Sequence, residues 1–362
     1  MINNFIKFLL VLPFFAFAEE ESGMQDHAQM TTMNQDHQSM KHNPPPIGVM
    51  GNMHHQGFML SIRHGIMQMD GSILNGNNIT DSKILKMPNE LGNSPANLSV
   101  IPKSMDMKMT MIDGMYAPTN NLTLMVMATY VSKDMLLNTF SPMMERELIG
   151  QFSTDTSDLS DISFSGLFRI NQNDNSKWHG EISLKKSIGK NDATAIALTP
   201  MGTKMNMIMP YAMQSGDEST SLILGLTNTR KLNRGIVWGN QLKRKIVVSE
   251  SGWSYGDQTE FSSWIQYPFS NSVSISSRLK FTDQDALSGK NLLISAPVQT
   301  ANPKNYGGKE LHLGIGINMA LDLLPGGKEH IGLEILKPLN QDKNNLQMKT
   351  DYQIIFGYQK SF

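Results

Sequence analysis

The chain has no cysteine among its 362 residues. That absence excludes disulfides, a lipid-modified N-terminal cysteine and thiolate metal sites. The soft donors left are the thioether of methionine and the imidazole of histidine. An excess of one charge is also lacking. Lys and Arg number 31 against 32 Asp and Glu, a net charge of −1, and nothing points to nucleic acid as a partner. Beyond the first eighteen residues, no apolar run reaches the ~18–20 residues of a membrane-spanning helix. No H-E-x-x-H and no Walker-type phosphate loop occurs. His179, His312 and His330 are isolated and fit wall or loop positions better than a catalytic set. The chain is therefore expected not to be an enzyme.

What is present begins with an export signal. Lys7 precedes the apolar stretch FLLVLPFFAFA, which ends in Ala16-Phe17-Ala18, a small-x-small cleavage site before Glu19. Residues 1–18 are expected to be removed on export to the cell outer membrane. Residues 19–46 open with three glutamates, contain no aromatic residue and end in three prolines. Such a composition cannot bury a core, so a disordered tail is expected. The tail holds a repeat, QDHAQM at 25–30 and QDHQSM at 35–40.

From Gly57 onward the hydrophobic period becomes two, the strand period. Leu311, Leu313, Ile315, Ile317, Met319 and Leu321 share one face, against His312, Gly314, Gly316, Asn318, Ala320 and Asp322. Similar alternation runs through 162–170, 182–188 and 273–281. Strand candidates fall near 57–70, 104–117, 122–133, 159–171, 177–188, 219–229, 234–248, 257–267, 271–282, 308–322, 329–337 and 349–362. An even number suits a closed antiparallel barrel. Several run longer than the usual globular strand. Tyr116, Tyr130, Trp178, Tyr267 and Tyr358 sit near segment ends, where an interfacial girdle belongs. The chain closes on DYQIIFGYQKSF, with Tyr352, Ile354, Phe356, Tyr358 and Phe362 on one face. This is similar to the signal by which barrel-assembly machinery recognises its clients, although Lys360 departs from it. The expected fold is all-β, a transmembrane outer-membrane barrel of about twelve strands over residues 47–362.

In such a barrel the alternation assigns faces. Asp106 and Lys108 are expensive toward lipid, so they are expected to line the lumen. Arg169, Glu181, Lys185, Arg278, Lys280, His312 and Asp322 are expected there too. Met105, Met107, Met109 and Met111 then face lipid as a plain apolar wall, and Met205, Met207 and Met209 receive the same reading. Metal chemistry is instead expected in and just after the tail. Met24, Met30, Met33 and Met40 accompany His27, His37 and His42, followed by Met50, Met53, His54 and His55. Thioether suits Cu(I) and imidazole suits Cu(II). No cofactor is required, and copper is the candidate ion.

The segments PPPIGVMG (44–51), MQMDG (67–71), DMKMTMIDGMYAP (106–118), LTLMVMATY (122–130), PYAMQSG (210–216) and GGKELHLGIGIN (307–318) resemble a family of bacterial outer-membrane "transporter" proteins. These are grouped with the MetA-pathway phenol-degradation barrels. The resemblance covers most of the chain. Departures are the adjacent His54 and His55, Thr110 where the family often has histidine, and Asp158 and Ser160 in place of loop glycines. The resemblance implies a barrel linked to metal or aromatic-compound transport. Three readings follow. The first is a passive channel for a small solute, linked to copper or another soft metal. The second is a channel for hydrophobic aromatic compounds. The third is a non-transporting protein whose tail sequesters metal.

Overall fold

A computed structural model describes residues 45–362, except 50, 52, 54, 55, 93, 144 and 323–326. The expected signal segment, the tail as far as Pro44, and Met50, His54 and His55 lie outside the described residues.

Alternating apolar and small polar residues build long strands. In chain order these are β1 (Gly57–Leu74), β2 (Val100–Thr119), β3 (Leu122–Phe140), β4 (Leu148–Gln172), β5 (Ser176–Ser187) and β6 (Thr220–Lys231). They continue as β7 (Val237–Ser249), β8 (Gln258–Pro268), β9 (Val273–Gln284), β10 (Gly308–Leu321), β11 (Lys328–Lys343) and β12 (Leu346–Ser361). All belong to one thirteen-stranded antiparallel sheet, whose remaining member is the three-residue strand Asn77–Ile79. Each long strand pairs with its neighbours in sequence. β12 pairs back onto β1 from Met59 with Ser361 to Leu74 with Leu346, so the sheet closes. Every expected strand lies on one of these twelve.

The wall is inside out relative to a soluble sandwich. Leu60, Ile62, Ile112, Leu124, Val126, Phe164, Ile182, Ile265 and Ile315 are exposed on the outer face. Ser163, Ser165, Ser183, Ser262, Ser274 and Ser276 are buried on the inner one. Aromatic rings edge this outer belt. Phe58 and Tyr116 stack at 4.6 Å near the end that carries the short turns. Trp178, Tyr267 and Phe362 stand exposed at the same end, and Tyr130 is exposed at the belt's far side. Lys360, the departure in the terminal signal, lies 3.3 Å from the buried carboxylate of Glu329 and 5.4 Å from the Phe362 ring. Its charge is therefore partnered at the rim.

β1 to β4 are 18, 20, 19 and 25 residues long. A tilted strand crosses a bilayer in ~9–11 residues. The surplus stands beyond the belt at the end carrying the long loops. There the outer face turns polar, and Asp106, Asp134 and Asp155 are exposed on one rung across three neighbouring strands. This corrects the face assignment of the methionine ladder. Asp106 and Lys108 share the outer face with Ile112 and Tyr116, whereas Met105, Met107, Met109 and Met111 share the inner face with the buried Asp113 and Met115. The polar residues need no lumen because they lie above the apolar belt, not at its midplane.

The face assignment has a direct test. Val126→Lys, in the middle of the belt, should destabilise by roughly 2–4 kcal/mol. Met107→Lys should show no such lipid penalty. Urea titration of both variants folded in vesicles measures this, and equal losses would restore the original assignment.

Two sets of residues occupy the barrel interior. From the short-turn end, the stretch before β1 enters the lumen, burying Ile47, Val49 and Met53. The Ile47 side chain lies against Gly332 and Gly357, where a Cβ would come within 2.6 Å of it. Only glycine at these two positions leaves room. At the other end, connecting segments fold inward. Met209, Tyr211, Met213, Trp253, Ile294, Val298 and Ala301 pack with Val100, Met105, Met135, Leu137 and Met348 of the wall.

Candidate functional site

The lumen wall divides into two unlike halves. One half is methionine. Met59, Met67 and Met69 of β1 point inward, as do Met105, Met107, Met109, Met111 and Met115 of β2 and Met125, Met127 and Met135 of β3. Register places them in rows across the strands. Met59, Met115 and Met125 form one row, Met67 and Met107 another, and Met69, Met105 and Met135 a third. Directly opposite side chains have Cβ atoms about 4.5–5.5 Å apart, so their thioethers reach one another. Met348 of β12 and Met209 and Met213 of the inward segments join the third row's cluster.

Segregation by face is complete on these three strands. Their outer positions carry Phe58, Leu60, Ile62, Ile66, Ile112, Tyr116, Leu122, Leu124, Val126, Tyr130 and Leu136, and no methionine. Met205, also expected on a lipid wall, is exposed on the short strand Lys204–Ile208 within the connection from β5 to β6.

The other half of the wall is charged, and most of its charges are paired. Lys185 lies 2.9 Å from Asp161, Lys243 2.7 Å from Glu181, and Lys280 3.4 Å from Glu260. Lys343 lies 2.9 Å from Glu310, which also faces His312 at 3.5 Å. Arg278 grips Glu334 with two nitrogens, at 2.8 and 2.7 Å. Its third nitrogen reaches the Gly48 carbonyl at 3.4 Å, tying the inserted segment to the wall. Between the halves, Arg63 donates to Asp113 at 2.7 Å and lies 3.9 Å from the Met127 sulfur.

Of the expected lumen residues, Arg169, Glu181, Lys185, Arg278, Lys280 and His312 lie on inward positions. Asp106 and Lys108 lie outside, as described above. Asp322 is exposed just past the end of β10, at the rim rather than in the lumen. Of the tail and post-tail metal candidates, Met53 is within the described residues, buried beside Met115 and Met125. Arg63, Asp113, Lys133, Met125, Met127, Met135 and Glu334 had no motif to single them out. Their signal was shared parity with the ladder across neighbouring strands.

At the long-loop mouth Lys133 donates to the carbonyls of Ala212 and Gln214, at 2.9 and 2.5 Å, and holds PYAMQSG over the methionine half. Tyr211 meets Trp253 edge-on at 4.7 Å, and Tyr255 donates to the Tyr211 carbonyl at 2.8 Å. Burial pushes the Tyr255 and Tyr306 phenols above their ordinary range, so both stay neutral donors. The sequence GWSYG at 252–256 has the spacing of a hydrolase nucleophile turn, but Ser254 is wholly buried and its hydroxyl donates to Glu250 at 2.5 Å. Among the described residues no three His, Asp or Glu side chains converge as a metal site.

A closed up-and-down barrel with an apolar outer belt and a lined lumen defines the architectural class of the outer-membrane β-barrels. No sequence-family profile matches the chain, and no curated protein matches it. Solved structures do. An outer-membrane channel from Pseudomonas putida F1 is similar over 87% of this chain and 100% of its own, with a TM-score of 0.54 and 10% identity. A deltaS2 mutant of the TodX monoaromatic hydrocarbon channel is similar over 85% of this chain and 91% of its own, with a TM-score of 0.47 and 14% identity.

Proposed function

We propose that the chain is a passive channel of the outer membrane for a small solute, and that the solute is copper(I) or a like soft cation. One observation carries this reading: on β1, β2 and β3 every methionine faces the lumen and none faces out. Leucine and isoleucine fill apolar space as well as methionine does, and the outer face uses them. Thioether adds one property, affinity for soft ions such as Cu(I). Most of the charges opposite are paired, which weakens the field available to favour hard ions. Short turns belong at the periplasmic end, which puts the long-loop mouth outside the cell. Export by the signal segment and assembly through the strand ending in Phe362 complete this reading. The tail donors, Met24 to His42, would gather the ion.

Vesicles bearing the refolded protein should admit Ag(I), a redox-stable analogue of Cu(I), to an entrapped metal-sensitive dye faster than protein-free vesicles. Removing residues 19–43 should alter the flux at low silver more than at high silver. Equal rates with and without protein would overturn the reading.

A second reading has its own support. The methionine half is apolar and adaptable, and the mouth is ringed by Tyr211, Trp253, Tyr255 and Tyr306. A small aromatic solute fits such a wall, as the resemblance to the phenol-degradation group implies. Uptake of phenol or toluene without silver flux would favour it.

A further inference from the structure

The lane has a discrete inner end. We propose that Met53, Met59, Met115 and Met125 form a four-thioether site for one monovalent soft cation; this deepens the soft-cation reading and rests on it. Met59, Met115 and Met125 occupy successive rungs of one row on three adjacent strands. Met53 comes from the inserted segment and closes the row from the lumen side. Among the described residues the rest of the cluster is Ala117 and Leu167, which add no donor and keep water away. Met53, Met115 and Met125 are 6%, 3% and 3% exposed, so an ion held there is desolvated. Water would otherwise compete with so weak a donor as a thioether. A desolvated site without a carboxylate disfavours hard cations, which need oxygen ligands. Asp113, the acid on a nearby rung, is neutralised by Arg63 at 2.7 Å and accepts from Ser61 at 2.9 Å, both through one oxygen.

A packing cluster would need no such composition. The outer positions on the same rungs are Phe58, Leu60, Tyr116, Leu124 and Val126. These strands thus place branched or aromatic side chains outside and thioethers inside at one height. Met53 also makes the site conditional. It sits on a segment pinned by Ile47 and by the Gly48 carbonyl, so moving that segment removes one ligand of four.

The test uses the full mature chain refolded in detergent, loaded with Cu(I) under ascorbate and challenged with bicinchoninate. Wild type should retain one ion more than Met59→Leu/Met115→Leu/Met125→Leu, and the total sulfur scattering at the copper edge should fall in the variant. Heat-modifiable gel migration checks that the variant has folded, because Leu for Met is a well-tolerated exchange. Met53→Leu should give up the same ion at lower chelator than wild type. Equal retention by wild type and the triple variant would overturn the site, and equal retention by wild type and Met53→Leu would overturn the four-ligand set. Retention of the ion by protein that passes no silver would support the site and overturn the channel reading.

Discussion

Replacing Arg278 with alanine is expected to destabilise the barrel by about 3–5 kcal/mol, the cost of stranding one partner of a buried ion pair. The Arg278 and Glu334 side chains are 2% and 1% exposed. Gly314 makes room for Glu334, because a Cβ there would lie 2.8 Å from its Oε1. Alanine would leave the buried carboxylate with no cation at hydrogen-bond distance. The double variant Arg278→Met/Glu334→Leu should recover most of the loss, because an apolar pair of similar volume avoids desolvating two charges. Urea titration followed by tryptophan fluorescence measures both. A single variant as stable as wild type would mean that water reaches the pair.

Deleting residues 45–53 is expected to widen the lumen and to raise the single-channel conductance above that of the wild type. The deleted stretch includes Ile47, wedged against Gly332 and Gly357, and the Gly48 carbonyl held by Arg278. Gly357→Val should act in the same direction, because its Cβ would come within 2.6 Å of Ile47 and 2.8 Å of the Arg63 Cγ. Planar-bilayer recording of the three proteins decides. If the deletion leaves conductance unchanged, the inserted segment does not narrow the conducting path.

Much of the fold was legible because alternation and rim aromatics are properties of the sequence itself. The runs at 311–321 and 273–281 lie on β10 and β9 with the expected faces. The 104–112 ladder was misread for a physical reason. Alternation gives two faces, and choosing between them needs the height of each residue in the membrane. Asp106 and Lys108 were set at the midplane, where lipid would forbid them, but β2 is twice the length a crossing needs. Ile112 and Tyr116 share their parity and would have given the outer face. The inward fold of PYAMQSG was not legible either, since it depends on Lys133 meeting two carbonyls far away in sequence. The same holds for the partner of Lys360, because Glu329 lies on a different strand.

The surplus length of β1 to β4 makes the tube electrostatically uneven. Around the belt, from Leu122 to Tyr130, the wall would be jacketed by hydrocarbon, whereas from Tyr130 to Phe140 water would lie outside it. A lone cation in the upper stretch would polarise solvent through the wall and keep much of its hydration energy. In the lower stretch that screening is gone, and its Born self-energy climbs. The four thioethers at Met53, Met59, Met115 and Met125 sit on that slope, where replacing lost solvation matters most to an ion in transit.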